Sequence, residues 1–209
     1  MRIDVFYDVL CPFCFLAKRS LDLAMAETGA APQIVHHPFM LHPEFPRGPH
    51  DFQQAFTAKY GEAARGPMWD SVIARGREVG IAFAFYDIKH GFNSITAHRL
   101  VHKARAIGVE AAVLEDLYSA FFEDGLYLGD TTLLAHIGAR HGLPEADTRA
   151  YLDSDQEEAE IFALTERFKR DPGVTGMPYH LVDGAPFRLA KTGVGSFRAL
   201  LKTAAPAAG

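Results

Sequence analysis

Cysteine is nearly missing from this chain: Cys11 and Cys14 are the two among 209 residues. Two thiols three positions apart cannot staple a fold of that size. That excludes a disulfide scaffold and leaves redox or metal chemistry for the pair. Positive charge is not in excess either. Twenty-one lysines and arginines face 26 acids, for a formal charge of −5, so there is no basic footprint for nucleic acid. No apolar run reaches the roughly eighteen residues of a membrane span. Residues 1–6 enter strand-like sequence without the basic start, apolar run and small-residue cleavage site of a secretory signal. Internal repeats are absent. The expectation from these gaps is a cytoplasmic protein that handles neither nucleic acid nor membrane.

What is present is an ample core. Hydrophobic residues make up 48% and charged residues 22%, which suits one large domain or one domain with a sizeable insertion. Residues 2–7, rich in β-branched and aromatic types, predict a buried strand. Pro12 is placed for a first helical turn, where its missing N–H costs nothing. Ala17, Leu21, Ala24 and Met25 continue at helical spacing until Gly29. Residues 33–41 predict a second strand, so the chain opens as a strand–helix–strand unit with a right-handed crossover. The stretch His42-Pro43-Glu44-Phe45-Pro46-Arg47-Gly48-Pro49 predicts a connector. Helices are predicted beyond it at 52–60 and 67–79, then an extended stretch at 81–86. Apolar stripes follow at Ala97, Leu100, Val101 and Ala104, at 114–122, at 131–137, at 143–152 and at 161–168. The acidic run at 153–160 predicts a solvated helix face. Strands are expected at 178–183 and 187–191 about a Gly184-Ala185-Pro186 turn, and a last helix at 195–203. The order is βαβ, a helical block, then ββα. It predicts an α/β fold with a four-stranded mixed sheet, formed by 1–43 and 172–209, and an inserted all-α block at 44–171.

The Cys11-Pro12-Phe13-Cys14 stretch sits where the first strand hands over to the first helix. A thiolate is the nucleophile, and an ordinary cysteine with pKa about 8.5 is mostly protonated at neutral pH. Unpaired backbone N–H groups and the positive end of the helix dipole at Cys11 favour the anion. Cys14, one turn deeper, should be more buried and hold its proton longer. Cys11 is therefore the attacking thiol and Cys14 the resolving one. A metal half-site is the competing use. One such pair supplies two of the about four ligands of a structural zinc, and His36, His37, His42 and His50 lie in a Pro-rich stretch without regular ligand spacing. No metal or tightly bound cofactor is expected.

Strand, Cys-Pro-Phe-Cys, helix, helical insertion and Gly173-Val174-Thr175-Gly176-Met177-Pro178 before a hairpin together resemble the thioredoxin fold in its DsbA-like branch. They are most similar to the FrnE-type cytoplasmic group, related to 2-hydroxychromene-2-carboxylate isomerases and kappa-class glutathione transferases. Asn93-Ser94, Ala97-His98-Arg99-Leu100 and the run 117–122 add to the likeness. The resemblance implies a cis peptide at Met177-Pro178, with Pro178 part of the catalytic site and the Met177 backbone facing an extended peptide or glutathione. It implies substrate contacts from Pro12, Phe13, Met177, Asn93 and His98, glutathione as a co-substrate, and a homodimer. Phe13 stands where strongly oxidising relatives carry histidine, which implies a milder redox potential. Phe39, Trp69, Phe83, Phe85 and Tyr86 are candidates for an apolar pocket beside Cys11, and His98 with His102 for a one-turn pair. The sequence Ala190-Lys191-Thr192 departs from the Gly-Ala-Gln common in similar proteins, so Lys191 or Thr192 takes a different place in any ligand loop.

The expected activity is thiol–disulfide exchange with a peptide, protein or glutathione partner. Two alternatives stand beside it. One is a glutathione-dependent isomerase or transferase, whose relatives commonly carry serine where Cys11 stands. The other is a redox-responsive binding module.

Overall fold

A computed structural model describes residues 1–171, 173–174, 176–187 and 193–204. Strand β1 (Arg2–Tyr7) leads into helix α1 (Pro12–Thr28), which Gly29 ends, and strand β2 (Gln33–Pro38) returns beside β1. The two strands are parallel, with Ile3 opposite Ile34 and Val5 opposite His36. Every residue of β1 except Arg2 is buried, because the strand has a neighbour on both edges and helices on both faces. Ile3 and Val5 pack on Ala17, Leu21 and Ala24 of α1. Phe6 points the other way, its ring 4.4 Å edge-on from that of Phe168. The second strand, expected to reach residue 41, stops at Pro38, opposite Tyr7, the last residue of β1.

The inserted block follows. Strand β3 (His50–Asp51) passes directly into α2 (Phe52–Tyr60), whose first turn is capped by the Asp51 carboxylate accepting from the Gln54 N–H at 2.8 Å. Helix α3 (Glu62–Glu78) starts five residues ahead of the expected 67 and runs through Pro67. The extended segment expected at 81–86 forms no strand; it is a loop that buries Phe83 and Phe85 with their rings stacked at 4.9 Å. A two-residue strand β4 (His90–Gly91), which nothing in the sequence pattern announces, pairs antiparallel with β3. Then come α4 (Ile95–Arg105), α5 (Glu110–Phe122), α6 (Thr131–Arg140), α7 (Glu145–Asp153) and α8 (Glu158–Lys169). Arg99, with none of its surface exposed, ties α4 to the α7–α8 connection. Its guanidinium donates to the carbonyls of Gln156 (2.7 Å), Leu152 (3.3 Å) and Tyr151 and lies over the Tyr151 ring.

Strands β5 (Tyr179–Val182) and β6 (Ala185–Phe187) form the closing hairpin, and α9 (Val194–Ala204) completes the described chain. The turn is the pair Asp183-Gly184, with φ of 48° and 83°. Asp-Gly suits that two-residue mirror-image turn, so Ala185 and Pro186 belong to the strand and not to the turn expected at 184–186. The rest of the strand expected at 187–191, with Ala190, Lys191 and Thr192, lies outside the described residues. Sheet order is β2-β1-β5-β6, with β5 antiparallel to β1. Phe197 and Leu201 of α9 join α1 over one face of this sheet. The largest apolar cluster joins Tyr7, Val9, Cys14, Phe15 and Leu16 to Trp69, Phe85, Phe92, Leu117, Tyr118, Phe121 and Phe122 of the inserted block. The site is built along that seam.

Candidate functional site at the first helix

Cys11 is the N-cap of α1, in extended conformation, and Pro12 opens the helix. The backbone is pinned on both sides. The Cys11 N–H donates to the Asp8 carbonyl at 3.0 Å, and the Cys11 carbonyl accepts from the N–H groups of Cys14 (3.0 Å) and Phe15 (3.3 Å). Both cysteines are unbridged, at 4% and 3% exposure. Burial pushes the Cys14 thiol well above its ordinary range, and the interaction with Cys11 pushes it further. Cys14 thus keeps its proton at neutral pH while Cys11 stands at the wall of a pocket.

Beneath the pair lies a carboxylate that sequence reasoning left without a role. Asp8 has none of its surface exposed. Its oxygens accept from the Leu41 N–H at 2.6 Å, the Leu10 N–H at 3.1 Å and His98 Nε2 at 3.2 Å. Burial alone would raise its pKa. The His98 hydrogen bond and charge and the two backbone N–H groups outweigh that and hold it below the usual carboxylate range. A carboxylate only accepts, so the network assigns a proton to His98 Nε2. The Tyr118 hydroxyl donates to the Asp8 carbonyl at 3.1 Å, and burial raises its pKa well above the usual phenol value. The signal available in the sequence is a lone acid between an apolar strand and the first cysteine.

The pocket holds about 310 Å³. Leu10, Cys11, Pro12, Phe13 and Met177 form one side. Leu41, His42, Phe45, His50 and Gly91 come from the connector and the β3–β4 ribbon. Phe52, Phe56, Lys59 and Tyr60 of α2 and Met68, Trp69 and Val72 of α3 close it, with Phe85 and Phe122 behind. A β-carbon at Gly91 would fall 2.4 Å from His50 Nε2, so a side chain there forces the His50 ring to shift. Phe45 carries the His42 ring stacked at 4.3 Å and the His50 ring edge-on at 4.6 Å. Phe13 is neutral, and the Arg75 guanidinium lies 5.5 Å from its ring centre.

The structure therefore brings together Cys11, Pro12, Phe13 and Met177, and with them Trp69 and Phe85. The Met177-Pro178 peptide is cis. It does not bring Asn93 or His98 to the pocket. Asn93, 4% exposed, spends its amide on the carbonyls of Phe45 (2.7 Å) and Pro43 (3.3 Å) and its oxygen on the Ile95 N–H (3.1 Å). It fixes the connector that forms the pocket wall. His98 is fully enclosed against Asp8 and Tyr7. Phe39 and Phe83 are buried away from the cavity, and Tyr86 is on the surface. His102 faces Glu157 at 3.7 Å instead of joining His98. Among the described residues no three His, Cys, Asp or Glu side chains converge in a way that holds a metal. None of their helices is long and apolar enough to cross a membrane.

Comparison with known proteins places the fold in a wider set. A family model described as a DsbA-like thioredoxin domain matches residues 2–202. The crystal structure of a probable DsbA oxidoreductase from Streptomyces coelicolor is 25% identical, with a TM-score of 0.81, over 98% of this chain and 89% of that one. The cytosolic disulfide reductase DsbM from Pseudomonas aeruginosa, solved with GSH, shares the fold with a TM-score of 0.71 at 19% identity, covering 98% of both chains. The uncharacterised protein YwbO of Bacillus subtilis is 25% identical over 194 residues, 84% of this chain and 92% of its own.

Proposed function

Because the chain belongs to the DsbA-like thioredoxin domain family, we propose that it is a thiol–disulfide oxidoreductase in which Cys11 attacks and Cys14 resolves. The observation that carries this reading is the division of the two sulfurs. Cys11 caps the helix at the pocket wall, and Cys14 is held protonated behind it. In the reductive direction, Cys11 thiolate attacks one sulfur of a substrate disulfide and the other leaves as a thiolate that takes up a proton. Cys14 then loses its proton and attacks the Cys11 sulfur, releasing the second substrate thiol and leaving Cys11–Cys14 oxidised. Two electrons pass from the cysteine pair to the substrate. A thiol such as glutathione restores the pair by the same exchanges in reverse. DsbM, named as a cytosolic reductase and solved with GSH, supports that choice of reductant and a reducing cytoplasm as the place of work. Cys11 itself speaks against the isomerase alternative, because a protein that activates glutathione's sulfur has no need of its own.

Turnover of hydroxyethyl disulfide with glutathione, followed with Cys11→Ser and Cys14→Ser, tests the assignment. Cys11→Ser is expected to be inactive. Cys14→Ser is expected to accumulate a mixed disulfide at Cys11, seen as an added half-substrate mass. A Cys11→Ser protein working at the full rate, or adducts forming at Cys14 first, would overturn it.

A further inference from the structure

We propose that the pocket beside Cys11 is built for a flat aromatic anion, and that the disulfides this protein reduces carry such a group. The inference rests on the oxidoreductase reading and names its substrate class.

The walls argue for an aromatic body. Trp69 stacks on Phe85 (5.5 Å between ring centres) and Phe52 (5.9 Å) and touches Phe56 at 5.0 Å. These rings line the cavity whose other side is Cys11 and Phe13. A polar substrate would leave its hydration for walls made mostly of rings and aliphatic chains, at about 1–3 kcal/mol for each group left unpaired. A ring surrenders only apolar surface.

The charge argues for an anion. Among the described residues no carboxylate lines the pocket, and Lys59 is the one formally charged side chain that does. Its ammonium donates to His42 Nε2 at 2.8 Å, and His42 Nδ1 donates in turn to Glu44 at 2.9 Å. That chain fixes the His42 tautomer and holds Lys59 against the wall. Glu44, at the outer end, is exposed and off the pocket. An ammonium has three N–H donors, so two remain for a ligand carboxylate. Glutathione fits the same walls less well, since it brings an ammonium of its own and no acid among the described lining residues receives it. In the reaction an aryl disulfide ArS–SAr gives one ArSH at the attack by Cys11 and the second when Cys14 resolves Cys11–S–SAr. Two electrons and two protons pass from the cysteine pair.

Binding is tested apart from chemistry. Calorimetry on Cys11→Ser, which cannot exchange, uses 2-naphthoate and its neutral isostere 2-naphthamide as probes. Trp69, the sole tryptophan, gives an independent fluorescence signal for the cavity. Saturable one-to-one binding of the naphthoate is expected, with the amide about fivefold weaker, the scale of one exposed charge contact. Lys59→Met should erase that gap, and an excess of glutathione should not displace the naphthoate. On wild type, the ratio of kcat/KM for 3,3′-dithiobis(benzoic acid) over hydroxyethyl disulfide should fall in Lys59→Met. No saturable binding, equal affinity for acid and amide, a gap that survives Lys59→Met, or displacement by glutathione would each overturn the proposal. Wild type that exchanges no disulfide at all while the naphthoate binds would instead overturn the oxidoreductase reading.

Discussion

Replacing Asp8 by asparagine should remove about 2–4 kcal/mol of stability without changing the shape of the chain. The carboxylate accepts three hydrogen bonds, from Leu10 (3.1 Å), Leu41 (2.6 Å) and His98 (3.2 Å), with no surface exposed. Asparagine matches its outline but offers one oxygen. If that oxygen stays with Leu10 and His98, the amide nitrogen meets the Leu41 N–H, donor against donor. A stranded buried donor costs roughly 1–3 kcal/mol, and loss of charge weakens the two surviving bonds by about 1 kcal/mol together. The pH dependence has a defined sign. Asp8 is held below the usual carboxylate range in the folded chain, so its contribution is complete above the unfolded value of about 3.9 and is lost as pH falls through the lower folded value. Urea unfolding of the reduced proteins, followed by circular dichroism at a series of pH values, measures this. The gap between wild type and Asp8→Asn should be flat from about pH 7 to 5 and shrink below about pH 4. Removing the charge should also lower the Cys14 pKa, to which Asp8 contributes repulsion, readable from thiolate absorbance. A variant within about 0.5 kcal/mol of wild type at neutral pH, or a gap that widens on acidification, would refute the reasoning.

Two further substitutions probe the frame around the site. Arg99→Lys keeps the charge but cannot serve the Tyr151, Leu152 and Gln156 carbonyls together. A loss of about 2–4 kcal/mol is expected in the same urea assay. Gly91→Ala places a β-carbon 2.4 Å from His50 Nε2 and should cost about 1–3 kcal/mol as the ring is forced off the pocket wall. An unchanged midpoint would show that the β3–β4 ribbon yields freely.

Much of this architecture was legible where a residue type has one strong use. Pro12 opening α1 and Gly29 ending it set that helix to the residue, and the apolar stripes located α4 to α8. Long-range partners were not legible. Pro67 looked like a helix start because proline usually stands in a first turn, yet α3 passes through it at the loss of one backbone bond. The β3–β4 ribbon is two residues long on each side, too short to show alternation. In the site, the Cys11-Pro12-Phe13 stretch could be read from its spacing and Met177 from the family resemblance. Asn93 and His98 could not, because their polar atoms answer to Pro43, Phe45 and Asp8, which are 48–90 positions away. Periodicity reports which face of a helix is buried but not which distant carbonyl or carboxylate waits there.

The sheet order carries a consequence for how the chain is made. β1 lies between β2 and β5, and its pairing of Ile3 with Val182 closes a loop of nearly the whole protein. Ordering such a loop costs about 4–5 kcal/mol of chain entropy by the logarithmic law, unless the inserted helices have already drawn the ends together. At roughly 5–20 residues per second of synthesis, the first strand waits about 10–35 seconds for its second neighbour. During that interval one row of backbone N–H and C=O groups on β1 is open to any other strand. A nascent chain halted before Tyr179 would keep that row permanently, so premature termination near the end of the message should yield aggregates and not a slightly shortened folded protein.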